Sequence, residues 1–174
     1  MIEKTLFNIP YYTLPTLYFK KKKQNLLSIL KGYPEEKSGI QNFKTNKHLN
    51  RENLKQIFVE ELKEELEHFS NKIKNDIIVK EVWSVLYEKN DYQSIHNHGT
   101  LGYYGILYLE YPDDGPTTEF LQPWNNIKND KSTLFSYSPK EGDIIIVPSF
   151  VNHFSNPNFS DTPKRVISFD LKIK

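Results

Sequence analysis

The stretch SIHNHGTLGYYGILYL, Ser94 to Leu109, sets two histidines two positions apart and runs on into an alternating, strand-like segment. On an extended chain each residue advances about 3.3 Å, so positions i and i+2 share one face roughly 6.5–7 Å apart. The imidazoles of His96 and His98 can therefore converge on one ion, although two polar residues at a strand mouth would read the same way. A metal needs at least one further donor. The chain supplies His153 in GDIIIVPSFVNHFSNP, immediately after another apolar run, so three of the five histidines fall at strand ends.

Outward from this pair the chain has two characters. After Asn75 come short β-rich runs, IIVKEVWSVLYEK, YYGILYLEY, TTEFLQPW, TLFSYS, DIIIVPSF and RVISFDLKI. Between them NDYQ, PDDGP, NNIKNDK, PKEG and NPNFSDTPK carry residues suited to turns. Many short strands in series predict a mainly β (α+β) fold, a sandwich or barrel. Before Asn75, apolar residues recur every three or four positions from Leu54 to Ile73 in ENLKQIFVEELKEELEHFSNKIK, predicting one amphipathic helix laid across a sheet. The run Lys20–Lys23 beside QNLLSIL reads as the wet face of a shorter helix. His48 falls in a polar loop and His68 on the polar side of the long helix, and neither is given a role.

Composition removes several function classes. With no cysteine among 174 residues, thiolate metal sites and disulfides are excluded, and a metal must be held by His, Asp or Glu. A net charge of +1 with acids and bases nearly balanced argues against nucleic acid or an anionic membrane as partner. No run approaches the ~20 apolar residues of a membrane span. The start, MIEKTLFNIPYYTLP, shows no secretory signal, so a cytoplasmic protein is expected.

A histidine, an acid two positions on, a distal histidine and then a basic residue about ten further is the order found in the Fe(II)/2-oxoglutarate-dependent dioxygenases; here the elements are His96, His98, His153 and Arg165. More closely, WSVLYEKNDYQSIHNHGTLGYYGILYLEYPDDGPTTEFLQPW, then GDIIIVPSFVNHFSNP and RVISFD, resembles a subfamily of small oxygenases in that superfamily. The resemblance covers Trp83 to Asp170 and implies a double-stranded β-helix (jelly roll) with N-terminal helices packed on one sheet. In those terms 1–174 is a single domain, with 1–75 a helical buttress and 76–174 the β core. It implies Fe(II) held by His96, His98 and His153, with open positions left for 2-oxoglutarate and dioxygen. It implies that Arg165, assisted by Tyr108, anchors the co-substrate's distal carboxylate, a task suited to a permanently charged, bidentate guanidinium. Tyr87 and Tyr92 are similar to first-strand tyrosines that approach the co-substrate. Arg165 is expected to face inward with Ile167 and Phe169, while Ser168 and Asp170 face the other way. The implied activity is hydroxylation of a small molecule or peptide.

One position departs from the pattern. The usual second ligand is Asp or Glu, and position 98 is His. Three neutral imidazoles leave a ferrous ion its full +2 charge, which a bound dicarboxylate can neutralise. Alternatively Asp91 or Glu119 supplies the acid and His98 stands behind it, or the site is degenerate. Gly142, Pro148 and His153 reproduce the second-motif spacing of a cupin, a three-histidine dioxygenase, but Glu110 comes late for its first motif and Phe150 replaces its glycine. A zinc site activating water and a jelly-roll binding module also stay open.

Overall fold

In the computed structural model, which describes residues 9–37, 42–126 and 128–174, the N-terminal part runs β1 (Tyr12–Pro15), α1 (Phe19–Leu30), β2 (Glu36–Lys37), β3 (Lys44–Thr45), α2 (Glu52–Glu61) and α3 (Lys63–Ile73). The β-rich part follows as β4 (Ile77–Tyr87), β5 (Gln93–His96), β6 (Tyr103–Glu110), β7 (Thr118–Leu121), β8 (Leu134–Tyr137), β9 (Asp143–Pro148), β10 (His153–Ser155) and β11 (Lys164–Ile173). All strand pairs are antiparallel, in a seven-stranded sheet ordered β1-β9-β6-β11-β4-β3-β2 and a four-stranded sheet ordered β5-β10-β7-β8. The N-terminal segment thus contributes three strands as well as helices, which the sequence reading did not anticipate. The first eight residues, on which a secretory signal was sought, lie outside the described residues. No helix among those described is long and apolar enough to cross a membrane.

The large sheet is buried on both faces, and the period of two decides which residue goes where. Leu107, Leu109, Ile144, Ile146, Ile167, Phe169 and Leu171 pack against Leu26, Leu54, Phe58, Leu62 and Phe69 of the helices. Their neighbours Tyr104, Ile106, Tyr108, Ile145, Val147 and Val166 turn the other way, toward Phe120 and Val151 on the small-sheet side. This second face forms the barrel interior. Close approach sets one position on the helix side: a Cβ on Gly105 would lie 2.1 Å from Cζ of Phe169, its partner across the β6–β11 ladder. Gly105→Ala therefore displaces Phe169 from Phe58, whose ring centroid is 5.0 Å away. The expected cost is about 1–3 kcal/mol of overpacking, read as a fall of about 2–4 °C in melting temperature per kcal/mol.

Two expectations about the helices are corrected. The long amphipathic stretch is two helices, broken at the buried Leu62, whose φ of −103° and ψ of 21° leave the α region. Hydrogen bonds from Leu62 N–H to Phe58 O (3.0 Å) and from Leu66 N–H to Leu62 O (2.9 Å) continue across the break, so the chain bends without stranding its backbone. The lysine run is not wholly wet either. Lys22 lies one and two turns before Leu26 and Leu30, on the same buried stripe. Its Nζ donates there to the buried Glu65 at 2.9 Å, which also accepts from the Leu17 N–H.

Candidate active site

Strands β5 and β10 lie side by side with His153 directly opposite His96. β5 ends at His96; His98 follows beyond the ladder, held by its own N–H donating to Ser149 O at 2.9 Å. The two neighbours therefore converge through a turn at the strand's end rather than through its pleat. Ring centroids are 4.2 Å apart for His96 and His153, and 5.3 Å apart for His98 to each of the others. One nitrogen from each lies within 4.8 Å of the other two. No carboxylate joins this group among the described residues. Asp91 is taken up by Lys37 and the Glu88 N–H, and Glu119 by Thr117, Ser136 and Asn156.

The protonation pattern suits metal ligation. Nδ1 of His96 faces Ser94 O at 2.9 Å and Nδ1 of His153 faces Val151 O at 3.2 Å. A carbonyl only accepts, so each Nδ1 carries the proton and Nε2 keeps a lone pair. Nε2 of His98 and Nε2 of His153 are buried without a hydrogen-bond partner. Two orphaned nitrogens in one place are costly unless a cation takes their lone pairs. Burial, offset in part by the Ser94 carbonyl, lowers the pKa of His96; burial, then the neighbouring His96, lowers that of His153 to about 3. Both rings are thus held in the neutral form a metal requires. The donor set, three imidazoles without thiolate, fits a divalent ion such as Fe(II).

Two aromatic residues absent from the sequence-based site shape its walls. Tyr104 stacks on His98 at 3.7 Å and 11°, with its hydroxyl 3.1 Å from Ser168 Oγ, and Trp83 lies 5.5 Å from His98. Outward from the histidines opens a cleft of about 850 Å³ that includes Trp83, Tyr92, Asn97 and Asp170. The ammonium of Lys47 sits 4.1 Å over the Trp83 ring at its edge. Tyr92, expected near the co-substrate, is therefore placed on this outer side.

Inward lies a second, much tighter space of about 10 Å³, bounded by Tyr87, Gln93, Tyr104, Thr118, His153 and Lys164. Lys164 is only 1% exposed; its Nζ donates to Ser155 Oγ at 2.9 Å and lies 5.0 Å from the Tyr87 ring and 5.7 Å from that of Tyr108. It has no carboxylate partner among the described residues, and desolvation lowers its pKa to about 7. Tyr108 donates to or accepts from Thr118 Oγ1 at 2.7 Å, and the Tyr87 hydroxyl donates to Gln93 Oε1 at 2.7 Å. The rings of Tyr87 and Tyr108 thus both lie beside the buried Lys164.

That cation is not Arg165. Arg165 does share a face with Ile167 and Phe169, but this is the helix side of the sheet, where its guanidinium pairs with Glu35 and Glu110. Lys164, Val166, Ser168 and Asp170 form the inward set instead, reversing the expected assignment. The reason is that both faces of β11 are buried, so apolar residues do not mark the inside. The usable signal was cross-strand: Val166 pairs with Tyr108, and one step along β11 on that same face is Lys164.

By sequence the chain matches no curated protein. Solved structures share its fold: a 2OG-Fe(II) oxygenase family oxidoreductase from Burkholderia pseudomallei has a TM-score of 0.73 at 10% identity, covering 93% of this chain and 84% of that one. HygX from Streptomyces hygroscopicus, solved with nickel and 2-oxoglutarate bound, has a TM-score of 0.71 at 9% identity over 94% and 83% of the two chains. The viral collagen prolyl hydroxylase of Paramecium Bursaria Chlorella virus-1 has 0.64 at 15% identity over 92% and 94%. The family described as "Putative 2OG-Fe(II) oxygenase" matches residues 81–170, which hold all three histidines and Lys164. That match spans more than half of the sequence, and the chain belongs to this 2OG-Fe(II) oxygenase family.

Proposed function

We propose that the protein is an Fe(II)- and 2-oxoglutarate-dependent oxygenase, a hydroxylase of a small molecule or peptide, with iron held by His96, His98 and His153 and the co-substrate's distal carboxylate held by Lys164. The observation that carries this reading is a buried, acid-free ammonium on the inner side of three converging imidazoles. Iron with 2-oxoglutarate supplies activation of dioxygen; the chain's own residues do the rest. Lys164 gives the dicarboxylate a charge partner in a low-dielectric wall, and Thr118 and Tyr108 offer hydroxyls beside it. The inner space is about the size of one water, so seating a five-carbon acid there requires the Tyr87–Gln93 pair to part. Trp83, Tyr104 and Phe120 pack around the histidines and keep bulk water from their inner side, while substrate enters by the outer cleft.

The family match does not favour the cupin reading. The lack of cysteine fits a reducing compartment, and the cytoplasm is the one proposed.

The test is succinate release. Each turnover consumes one 2-oxoglutarate and one dioxygen and yields succinate, carbon dioxide and an oxidised substrate; uncoupled, it still yields succinate and carbon dioxide, with the second oxygen atom reduced to water by added ascorbate. Succinate should form only with Fe(II) and air, and rise when a screened metabolite or peptide fits the cleft. Iron-loaded protein that leaves 2-oxoglutarate intact, and does not bind it by calorimetry, ends the proposal.

A further inference from the structure

We propose that Asp170 is the carboxylate of this metal centre displaced by one shell: it acts through His98, fixing the ring with Nε2 toward the other two histidines and lending that ligand negative charge. The inference rests on the three-histidine reading above, though not on the identity of the co-substrate.

Four observations point to Asp170. It belongs to the inward set of β11, and the β4–β11 register shifts immediately after it, between Asp170 and Leu171. Such bulges re-aim side chains and are enriched beside active sites. Its Oδ1 lies 2.9 Å from Nδ1 of His98, with both side chains largely buried. No lysine or arginine pairs with it among the described residues. The approach is out of line for a hydrogen bond, since Oδ1 is buried without one, as is the Nε2 on the far side of the same ring. An anion 2.9 Å from Nδ1 electrostatically favours the proton on that nitrogen, which leaves the lone pair on Nε2. That is the tautomer His96 and His153 obtain from backbone carbonyls. His98 differs from them in having an anion in that place, which polarises the ring and makes Nε2 a more basic donor. The centre thereby recovers negative charge that the usual second ligand would have supplied directly.

Asp170 is a positioning residue, so the test must separate it from mere packing. Full-length protein stripped of metal is titrated with Mn(II) by calorimetry. Asp170→Asn, which keeps the shape and removes the charge, should bind about 10–100-fold more weakly. It should melt with the parent when both are metal-free. The same substitution in a His98→Asp background should cost less than about threefold, because the ring through which Asp170 acts is gone. A purely structural Asp170 predicts an equal penalty in both backgrounds, and that result overturns the proposal, as does Asp170→Asn binding Mn(II) as the parent does. If His98→Asp does not fold, nitrogen-15 spectra of the zinc-loaded parent and Asp170→Asn decide. The Nδ1–H of His98 should exchange with water at least tenfold faster in the variant, and equal rates refute the assignment. Failure of the parent to bind Mn(II) or zinc at all sinks the metal centre itself, a distinguishable outcome that takes this inference with it.

Discussion

Lys164→Met protein melts at a higher temperature than the parent and no longer binds 2-oxoglutarate. Both effects come from one fact, a lysine buried to 1% exposure without a carboxylate. An uncompensated ammonium in an apolar wall opposes folding, and a methionine of similar length removes that cost. Replacing buried charge by a well-packed apolar group typically gains about 1–4 kcal/mol, and at this chain length about 2–4 °C follows per kcal/mol. The pH dependence identifies the cause. Burial drops the group's pKa from an ordinary 10.5 to about 7 in the fold. Between those values the unfolded chain binds more protons, so parental stability rises with pH there, and the penalty is full below about pH 7. The gap between variant and parent should be widest at or below neutrality and close toward pH 10.5. Calorimetry should meanwhile show 2-oxoglutarate affinity down by about 100-fold or more, the scale of removing one partner of a buried charge pair. Arg165→Ala is the control with opposite signs. It removes the cation from the largely covered Glu35 carboxylate, leaving that group only Ser84 Oγ, and so lowers the melting temperature, while co-substrate affinity of the folded protein stays as in the parent. A Lys164→Met protein that binds 2-oxoglutarate normally would remove Lys164 from the site.

His153→Ala should abolish metal uptake and also flatten the acid limb of the stability curve. The ring is 3% exposed, lies between Tyr104 and Phe120, and is a buried member of the only trio of candidate ligands among the described residues. Its loss leaves two imidazoles, and Mn(II) affinity should fall by more than about 100-fold. The sign of the acid effect follows from the direction of the shift. Burial holds His153 near a pKa of 3 in the fold against an ordinary 6.5, so in that window the unfolded chain takes up a proton that the native protein refuses. Metal-free parent therefore loses stability as pH falls from 6.5 toward 3, at up to about 1.4 kcal/mol per pH unit from this group. His153→Ala removes that slope; urea melts at several pH values read it directly. Bound metal deepens the dependence, because ligation and protonation compete for the same lone pair.

The sequence was most informative where a pattern answers to one constraint. β runs bounded by turn residues emerged as β4, β6, β7, β8, β9 and β11, and the three histidines singled out at strand ends lie close together, His98 through a turn after β5 rather than through the strand's pleat. β1, β2, β3, β5 and β10 are two to four residues long and, unlike the equally short β7 and β8, were not read as β-rich runs set off by turn residues, although β5 and β10 carry two of the three histidines. The break at Leu62 was hidden because the apolar stripe continues through it. Arg165 was misplaced because a strand covered on both sides shows no polar face from which to read direction. Lys164 stood next to it in the sequence, and only the pairing of β11 with β6 assigns each to its side.

The double burial of β11 makes reading frame, more than residue identity, the vulnerable property of this strand. Sliding β11 by one position would trade ammonium for guanidinium inside the barrel and withdraw Asp170 from His98. It would also drive Ser168 and Asp170 into the greasy bed of the helices. A single-residue insertion or deletion in β11 therefore strikes scaffold and chemistry at once.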